Sequence, residues 1–121
     1  MTSQPPVDPD ALSRQLDELA RAGRTATYQE VARALSLEPP QTIFRLTKAL
    51  EYSMSGDADT GRPLRAAVVV SRTGNGQPAT GFFVHARQLG CYDGPDRGPL
   101  ARRFHADELE RVFAAAREGG E

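Results

Sequence analysis

Four side chains have the chemistry for nucleophilic catalysis: Cys91, His85, His105 and Asp93. A catalytic cysteine reacts as the thiolate, which a neighbouring imidazolium or a helix N-terminus favours. Nothing in the sequence brings a histidine beside Cys91, and a single thiol next to a loop is more typical of a small packed side chain. The two histidines are likewise more typical of a strand end and a helix cap. We therefore predict no catalytic residue and no enzymatic activity.

Three motifs approach a metal or nucleotide site without completing one. Residues 57–61 (DADTG) begin like a calcium loop, but the glycine comes one position early and Val68 stands where a bidentate glutamate is required. Gly76 and Gly81 have the spacing of a phosphate-binding P-loop, but Phe82 replaces its lysine. The lone cysteine has no His or Cys neighbour at zinc-ligand spacing. We predict no metal and no cofactor.

Length and composition indicate one domain. The chain has 121 residues, 39% of them hydrophobic and 26% charged, which excludes a collagen-like or wholly disordered protein. Apolar runs such as residues 66–70 are far too short to cross a membrane. The first six residues lack the basic and apolar regions of a signal peptide, so we expect a cytoplasmic protein. The predicted domain covers residues 8–118, with flexible tails at 1–7 and 119–121.

The formal net charge of -1 argues against nucleic acid, because DNA-binding domains usually carry a basic surplus. The charge is unevenly distributed, however. Residues 1–60 carry six basic and nine acidic side chains, residues 61–103 seven and two, and residues 104–121 two and five. The middle segment therefore has a net charge of +5 between two ends of -3 each. Its basic side chains are Arg62, Arg65, Arg72, Arg87, Arg97, Arg102 and Arg103.

Capping residues mark the first two helices. Asp8 before Pro9 is typical of an N-cap and a first helical position, and Gly23 is a typical helix end. Leucines recur between them at helical spacing, at Leu12, Leu16 and Leu19. Thr27 and Glu30 have the spacing of a capping box, which begins a second helix.

A third helix is predicted from Pro40 toward Met54. Its inner stripe consists of Ile43, Leu46, Leu50 and Met54. Its opposite side carries Gln41, Arg45, Lys48 and Tyr52, with Phe44 at the margin. Glutamine, arginine and lysine are the types that contact base edges and phosphates. The same pattern is also typical of a plain solvated helix face, so both interpretations stay open.

Two strands are predicted after the third helix. The β-branched residues 65–72 and the aromatic residues 80–85 have strand character, and residues 74–78 between them are rich in turn formers. Together they predict a β-hairpin with a long tip. On such a strand Phe82 and Phe83 face opposite sides.

A last helix follows a loop at residues 92–99 and is predicted from a cap at His105 to Gly119. The order of elements predicts an α+β fold, a winged helix-turn-helix with three helices, a β-hairpin wing and a C-terminal helix. In that fold the third helix enters the major groove and the wing lies against the DNA backbone.

Residues 27–32 (TYQEVA), the helix at 41–50 and residues 61–63 (GRP) before a Val-rich strand resemble the DNA-binding domain of the methylguanine-DNA methyltransferases and alkyltransferase-like proteins. In that family a Thr-Tyr-x-x-Val-Ala helix precedes the recognition helix, and a Pro-Cys-His-Arg segment leads into a Val-Val strand. The resemblance covers about residues 24–84 and implies a winged-helix DNA-binding domain.

The segment that carries methyl transfer in that family departs here. Pro63 is followed by Leu64 and Arg65, so the alkyl-accepting cysteine and its histidine are absent and the resemblance implies no methyl transfer. Phe44 falls where the family has its base-displacing arginine. Residues 61–83 are also similar to short bacterial proteins of unassigned role, which implies the fold and no activity.

These observations predict a non-catalytic protein that binds double-stranded DNA, as a regulator of transcription or an accessory of DNA processing. The predicted DNA-binding residues are Gln41, Arg45 and Lys48 in the groove, and Arg62, Arg65 and Arg72 on phosphates.

The alternative is a protein-protein interaction or dimerisation module that binds no nucleic acid. Aromatic side chains on the surface favour it. If two or three of Phe44, Tyr28 and Tyr52 are exposed together, a protein partner or a homodimer becomes the better explanation.

Overall fold

Helices make up most of the computed structural model, which describes residues 7–73 and 75–119. Within these residues the order of elements is α1 Pro9–Ala22, β1 Ala26–Thr27, α2 Tyr28–Ala34, α3 Thr42–Asp59, a 3-10 helix Arg65–Val68, β2 Val69–Val70, α4 Thr80–Gln88 and α5 Pro99–Gly119. Residues 1–6 and 120–121 of the predicted tails, and residue 74 of the predicted hairpin tip, lie outside the described residues. Val7 joins the hydrophobic core.

The caps of the first two helices are confirmed. The Asp8 side chain accepts a hydrogen bond from the Asp10 amide at 3.0 Å, and Gly23 ends α1 with φ 66°. The Thr27 hydroxyl accepts from the Glu30 amide at 3.1 Å, and the Glu30 carboxylate accepts from the Thr27 amide at 2.9 Å. Local side-chain to backbone bonds therefore set these boundaries.

The prediction of a winged helix is wrong, because the predicted hairpin does not form. Residues 80–85 are helical and begin α4. Residues 65–68 form the 3-10 helix, and only Val69 and Val70 are extended. They pair in parallel with β1, Ala26 with Val69 and Thr27 with Val70, so the sheet has two strands and no antiparallel wing.

Burial explains why residues 80–85 are helical. Phe82, Phe83 and Ala86 are all buried, which a helix achieves and a strand with alternating faces does not. The two phenylalanine rings meet edge to face with centroids 5.2 Å apart, and both approach Phe104 of α5. The prediction that they face opposite sides is therefore also wrong.

Two other helix boundaries differ from the prediction. α3 begins at Thr42, because Gln41 before it adopts a left-handed conformation with φ 58°, and it continues to Asp59 rather than ending near Met54. α5 begins at Pro99, a residue suited to a first helical position, and His105 lies inside the helix instead of capping it.

The predicted inner stripe of α3 is confirmed in three of its four residues. Leu46, Leu50 and Met54 are buried, but Ile43 is 37% exposed. Ile43 lies in the first turn of α3, next to the turn that follows α2. The core therefore holds α3 from Leu46 onward and leaves its first turn at the surface.

Residues 64–70 run through the core, and their buried backbone groups are bonded by side chains from the surrounding helices. Glu108 of α5 accepts from the Leu64 amide at 2.7 Å, and the ring of His105 donates to the Ala67 carbonyl at 2.8 Å. Arg65 joins the same segment to α1 and α3. Such bonds are required wherever backbone is removed from water.

The Arg65 side chain bonds both α3 and α1. Its Nε lies 3.2 Å from each carboxylate oxygen of Asp57, which is fully buried, and its amide donates to the same carboxylate at 3.0 Å. Its Nη1 bonds Ser13 at 2.6 Å and Asp17 at 3.1 Å. Burial acts to lower the pKa of Arg65, but hydrogen bonds and charges from Asp57 and Asp17 outweigh it and leave that pKa raised.

Replacing Arg65 with Gln should lower the free energy of unfolding by about 3–5 kcal/mol, because the Asp57 carboxylate would stay buried without its guanidinium. Urea denaturation followed by circular dichroism measures the change. Arg62→Gln is the matched control: it removes an exposed guanidinium 3.8 Å from the same carboxylate and should cost less than about 1 kcal/mol. Equal losses in the two variants would contradict the central role of Arg65.

Candidate nucleic-acid interface

The outward side of α3 carries aromatic and basic side chains in one row. Phe44, Lys48 and Tyr52 are four residues apart and therefore lie on one face of the helix. Phe44 is 58% exposed and Tyr52 72% exposed, and Lys48 between them is exposed as well. Gln41, also exposed, immediately precedes the helix. The row lies opposite the buried stripe, so no described element covers it.

Lys48 makes only weak contacts in this row. Its ammonium lies 3.7 Å from a carboxylate oxygen of Glu51 and 5.4 Å from the centre of the Phe44 ring. Exposed ion pairs and exposed cation–π contacts each contribute no more than about 1 kcal/mol. Lys48 can therefore turn toward a stronger anion at little cost.

Arg45 lies along the turn between α2 and α3. Its Nε donates to the Pro40 carbonyl at 3.3 Å, and its guanidinium also donates to the Glu38 carbonyl. These bonds hold the turn against the first turn of α3. In this arrangement Arg45 supports the helix end, next to the predicted groove residues Gln41 and Lys48.

The structure separates the three arginines that were predicted to contact phosphates. The Arg65 side chain is only 16% exposed and its guanidinium is paired with Asp57 and Asp17, so it is not free to contact a phosphate. Arg62 is exposed, with its Nε 3.1 Å from the Thr60 hydroxyl. Arg72 is exposed in the segment after β2.

One open cavity links Arg62 to α3. It has a volume of about 140 Å³ and is lined by Tyr52 and Ser53 of α3, by Ser13 of α1, and by Arg62 and Arg65. Tyr52 and Arg62 thus border the same cavity. Of the arginines predicted to contact phosphates, Arg62 and Arg65 both line this cavity, and of these two Arg62 is the exposed one.

A second basic cleft escaped the prediction. Arg97 and Arg102 line an open cavity of about 250 Å³ together with Thr80 of α4. The only sequence signal was the positive segment 61–103, which contains both arginines. Their spacing of five residues across the start of α5 gives no sign that they share a cleft.

The candidate nucleophile has no catalytic partner among the described residues. The ring of His85 bonds Ser55 at 3.2 Å and Gln88 at 3.1 Å, and His105 bonds backbone in the core. Partial burial and the charge of Glu108 raise the pKa of the Cys91 thiol, although Arg111 opposes them. The neutral thiol is thereby favoured over the reactive thiolate.

Residues 7–73 and 75–119 contain no group of three His, Cys, Asp or Glu side chains placed to hold a metal ion. None of the helices that the structure describes has the length and apolar character needed to cross a membrane. Comparison with protein-family models, curated proteins and solved structures found no match. The resemblance to alkyltransferase-like proteins therefore stays a prediction.

The buried His105 predicts a specific pH dependence of stability. Burial lowers the pKa of its ring, and the hydrogen bond to Ala67 opposes this only in part. The unfolded chain therefore binds a proton more readily than the folded one, so stability falls as the pH drops below about 6.5. The loss should not exceed about 1.4 kcal/mol per pH unit.

Urea denaturation between about pH 7 and pH 5.5 measures this slope, above the range where most carboxylates titrate. His105→Gln keeps a donor for the Ala67 carbonyl and should flatten the slope. His85→Gln is the matched control, because it removes the other histidine of the chain. A slope that His105→Gln does not change would assign the pH dependence to other groups.

Proposed function

We propose that this protein binds double-stranded DNA without catalysing a reaction, as a regulator or an accessory of DNA processing. The observation that carries the proposal is the uncovered row on α3, in which Lys48 stands between Phe44 and Tyr52. An exposed α-helix has the width to enter the major groove of DNA. A cytoplasmic location stays a prediction.

The side chains of the row fit different parts of a duplex. The Gln41 amide suits an adenine edge, and the Lys48 ammonium suits a guanine edge or a phosphate. Phe44 offers an apolar surface of the kind that contacts thymine methyl groups or wedges between base steps. Arg45 acts indirectly in this proposal, by holding the turn in front of α3.

Without a β-hairpin wing, backbone contacts must come from other exposed cations. Arg62 borders the same cavity as Tyr52, and Arg72 lies at the surface after β2. Both belong to the positive segment 61–103. Arg65 is left out of the binding surface, because moving it to a phosphate would strip the buried Asp57 of its counter-ion.

The test is fluorescence anisotropy of labelled duplex DNA at low and moderate salt. We expect binding that weakens with salt, and Lys48→Gln should reduce the slope of log K against log salt by about one. Phe44→Ala should weaken binding by about 5-fold or more if its ring contacts bases, a loss of about 1 kcal/mol.

Arg14→Gln on α1 is the control for charge, since Arg14 is exposed and lines neither the Tyr52 cavity nor the Arg97 cleft. It should leave the slope nearly unchanged. Absence of binding at low salt would overturn the proposal. If Lys48→Gln and Arg14→Gln change the salt slope equally, α3 is not part of the DNA-binding surface.

A second candidate function is protein-protein interaction, favoured by the exposure of Ile43, Phe44 and Tyr52 on one helix. Tyr28 is partly buried against the core, and Lys48 lies between the exposed Phe44 and Tyr52, so the aromatic side chains are not exposed together as one apolar patch. For that reason we rank it second. Sedimentation equilibrium separates the two: a dimer that Phe44→Ser with Tyr52→Ser dissociates would support self-association, and a monomer at all concentrations would exclude it.

A further inference from the structure

The cleft that contains Arg97 and Arg102 lies beside the first turns of α4 and α5. It is open to solvent and has a volume of about 250 Å³. Its lining comes from three parts of the chain: residues 75, 77 and 78 before α4 together with Thr80 and Phe83 of α4, residues 96–98 of the loop, and residues 101–102 of α5. None of the residues that line it belongs to the catalytic or metal-binding motifs considered from the sequence.

The cleft has a surplus of positive charge. Neither Arg97 nor Arg102 has an ion pair or a side-chain hydrogen bond within residues 7–73 and 75–119. The one carboxylate that lines the cleft, Asp96, is already paired with Arg87. Two arginines therefore line the cavity with no carboxylate paired to them among the described residues.

The neutral polar groups of the cleft are also able to donate. Asn75 and Gln77 carry side-chain amides, and Thr80 carries a hydroxyl. Guanidinium groups present a planar set of N–H donors that matches phosphate oxygens in pairs. A phosphate group is thus the chemical class that the cleft fits best.

The first turn of α4 lies between this cleft and α3. Thr80 lines the cleft, whereas the next two residues, Gly81 and Phe82, line a narrow groove with Thr47 and Glu51 of α3. The cleft and α3 are therefore neighbours across one helical turn. Thr47 and Glu51 directly precede Lys48 and Tyr52 in the chain. A DNA backbone carries phosphates at short regular intervals, so a duplex on α3 has phosphates to offer to a neighbouring surface, which a free phosphate does not.

We infer that the Arg97–Arg102 cleft binds a backbone phosphate of the DNA duplex that α3 contacts. The inference rests on the proposed function and adds the site that replaces the missing wing. One phosphate held by two guanidinium groups accounts for about one unit of the salt slope. Charge-assisted hydrogen bonds of this kind correspond to a change of about tenfold or more in affinity.

The experiment compares the wild type with a double variant that carries both Arg97→Gln and Arg102→Gln. The anisotropy of labelled duplex DNA is measured for each protein over a salt series. The double variant should bind about tenfold more weakly or worse at low salt, with a slope smaller by about one. Arg14→Gln with Arg117→Gln is the control, because it removes the same charge from exposed positions outside the cleft. Circular dichroism verifies that both variants fold.

A second arm titrates the ¹⁵N-labelled wild type with sodium phosphate or with duplex DNA at matched ionic strength, and follows the amides of Gly98 and Arg102. Changes in amide chemical shift that DNA causes in the wild type but not in the double variant support the inference. If the wild type binds DNA but the double and control variants bind alike, the cleft is excluded and the proposed function stands.

If the wild type binds no DNA, the proposed function and this inference both fail. Saturable shifts with phosphate in that case would assign the cleft to a free phosphate compound instead. Shifts with neither probe would show that the two arginines are a plain solvated surface.

Discussion

The structure depends on how the backbone N–H and C=O groups of residues 64–70 find hydrogen-bond partners in the core. This segment is buried but forms only one turn of 3-10 helix and a two-residue strand, so much of its backbone has no regular partner. Glu108 and His105 of α5 and Asp57 of α3 supply the missing bonds. Arg65 then compensates the charge of Asp57 and extends the network to α1. Three helices are thereby held around one short segment.

This arrangement determines what α3 can offer to a partner. Its inner side is fixed by apolar packing and, near its end, by the buried Asp57. The opposite row is left bare from Phe44 to Tyr52. A helix that is packed along one side presents its other side with little backbone ordering cost on binding, which is a general advantage of preorganised recognition surfaces. The same constraint keeps the Arg65 guanidinium paired with Asp57 and Asp17, although its residue type alone indicates a phosphate contact.

Local signals were readable from the sequence, and long-range ones were not. The caps at Asp8, Gly23 and Thr27 depend on residues within three positions, so their prediction is confirmed. The hairpin prediction is wrong because a short apolar run such as residues 80–85 is compatible with either a strand or a buried helix. Packing against Phe104 favours the helix. Likewise, no pattern reveals that Asp57 is buried, or that Arg97 and Arg102 face one cavity. The helix that presents the candidate site was thus predictable, whereas the surroundings that select its working residues were not.

The bonds around residues 64–70 also bear on modularity. Apart from the bonds between Arg65 and Asp57, they join residues 38 to 52 positions apart, such as Arg65 with Ser13 and Ala67 with His105. A fragment containing only α2 and α3 would lose its support from α1, α5 and the central segment together. The pair α2 and α3 is therefore not expected to keep its structure when it is grafted onto another scaffold. For protein engineering, a unit that retains the α3 surface must include α1, α5 and residues 64–70.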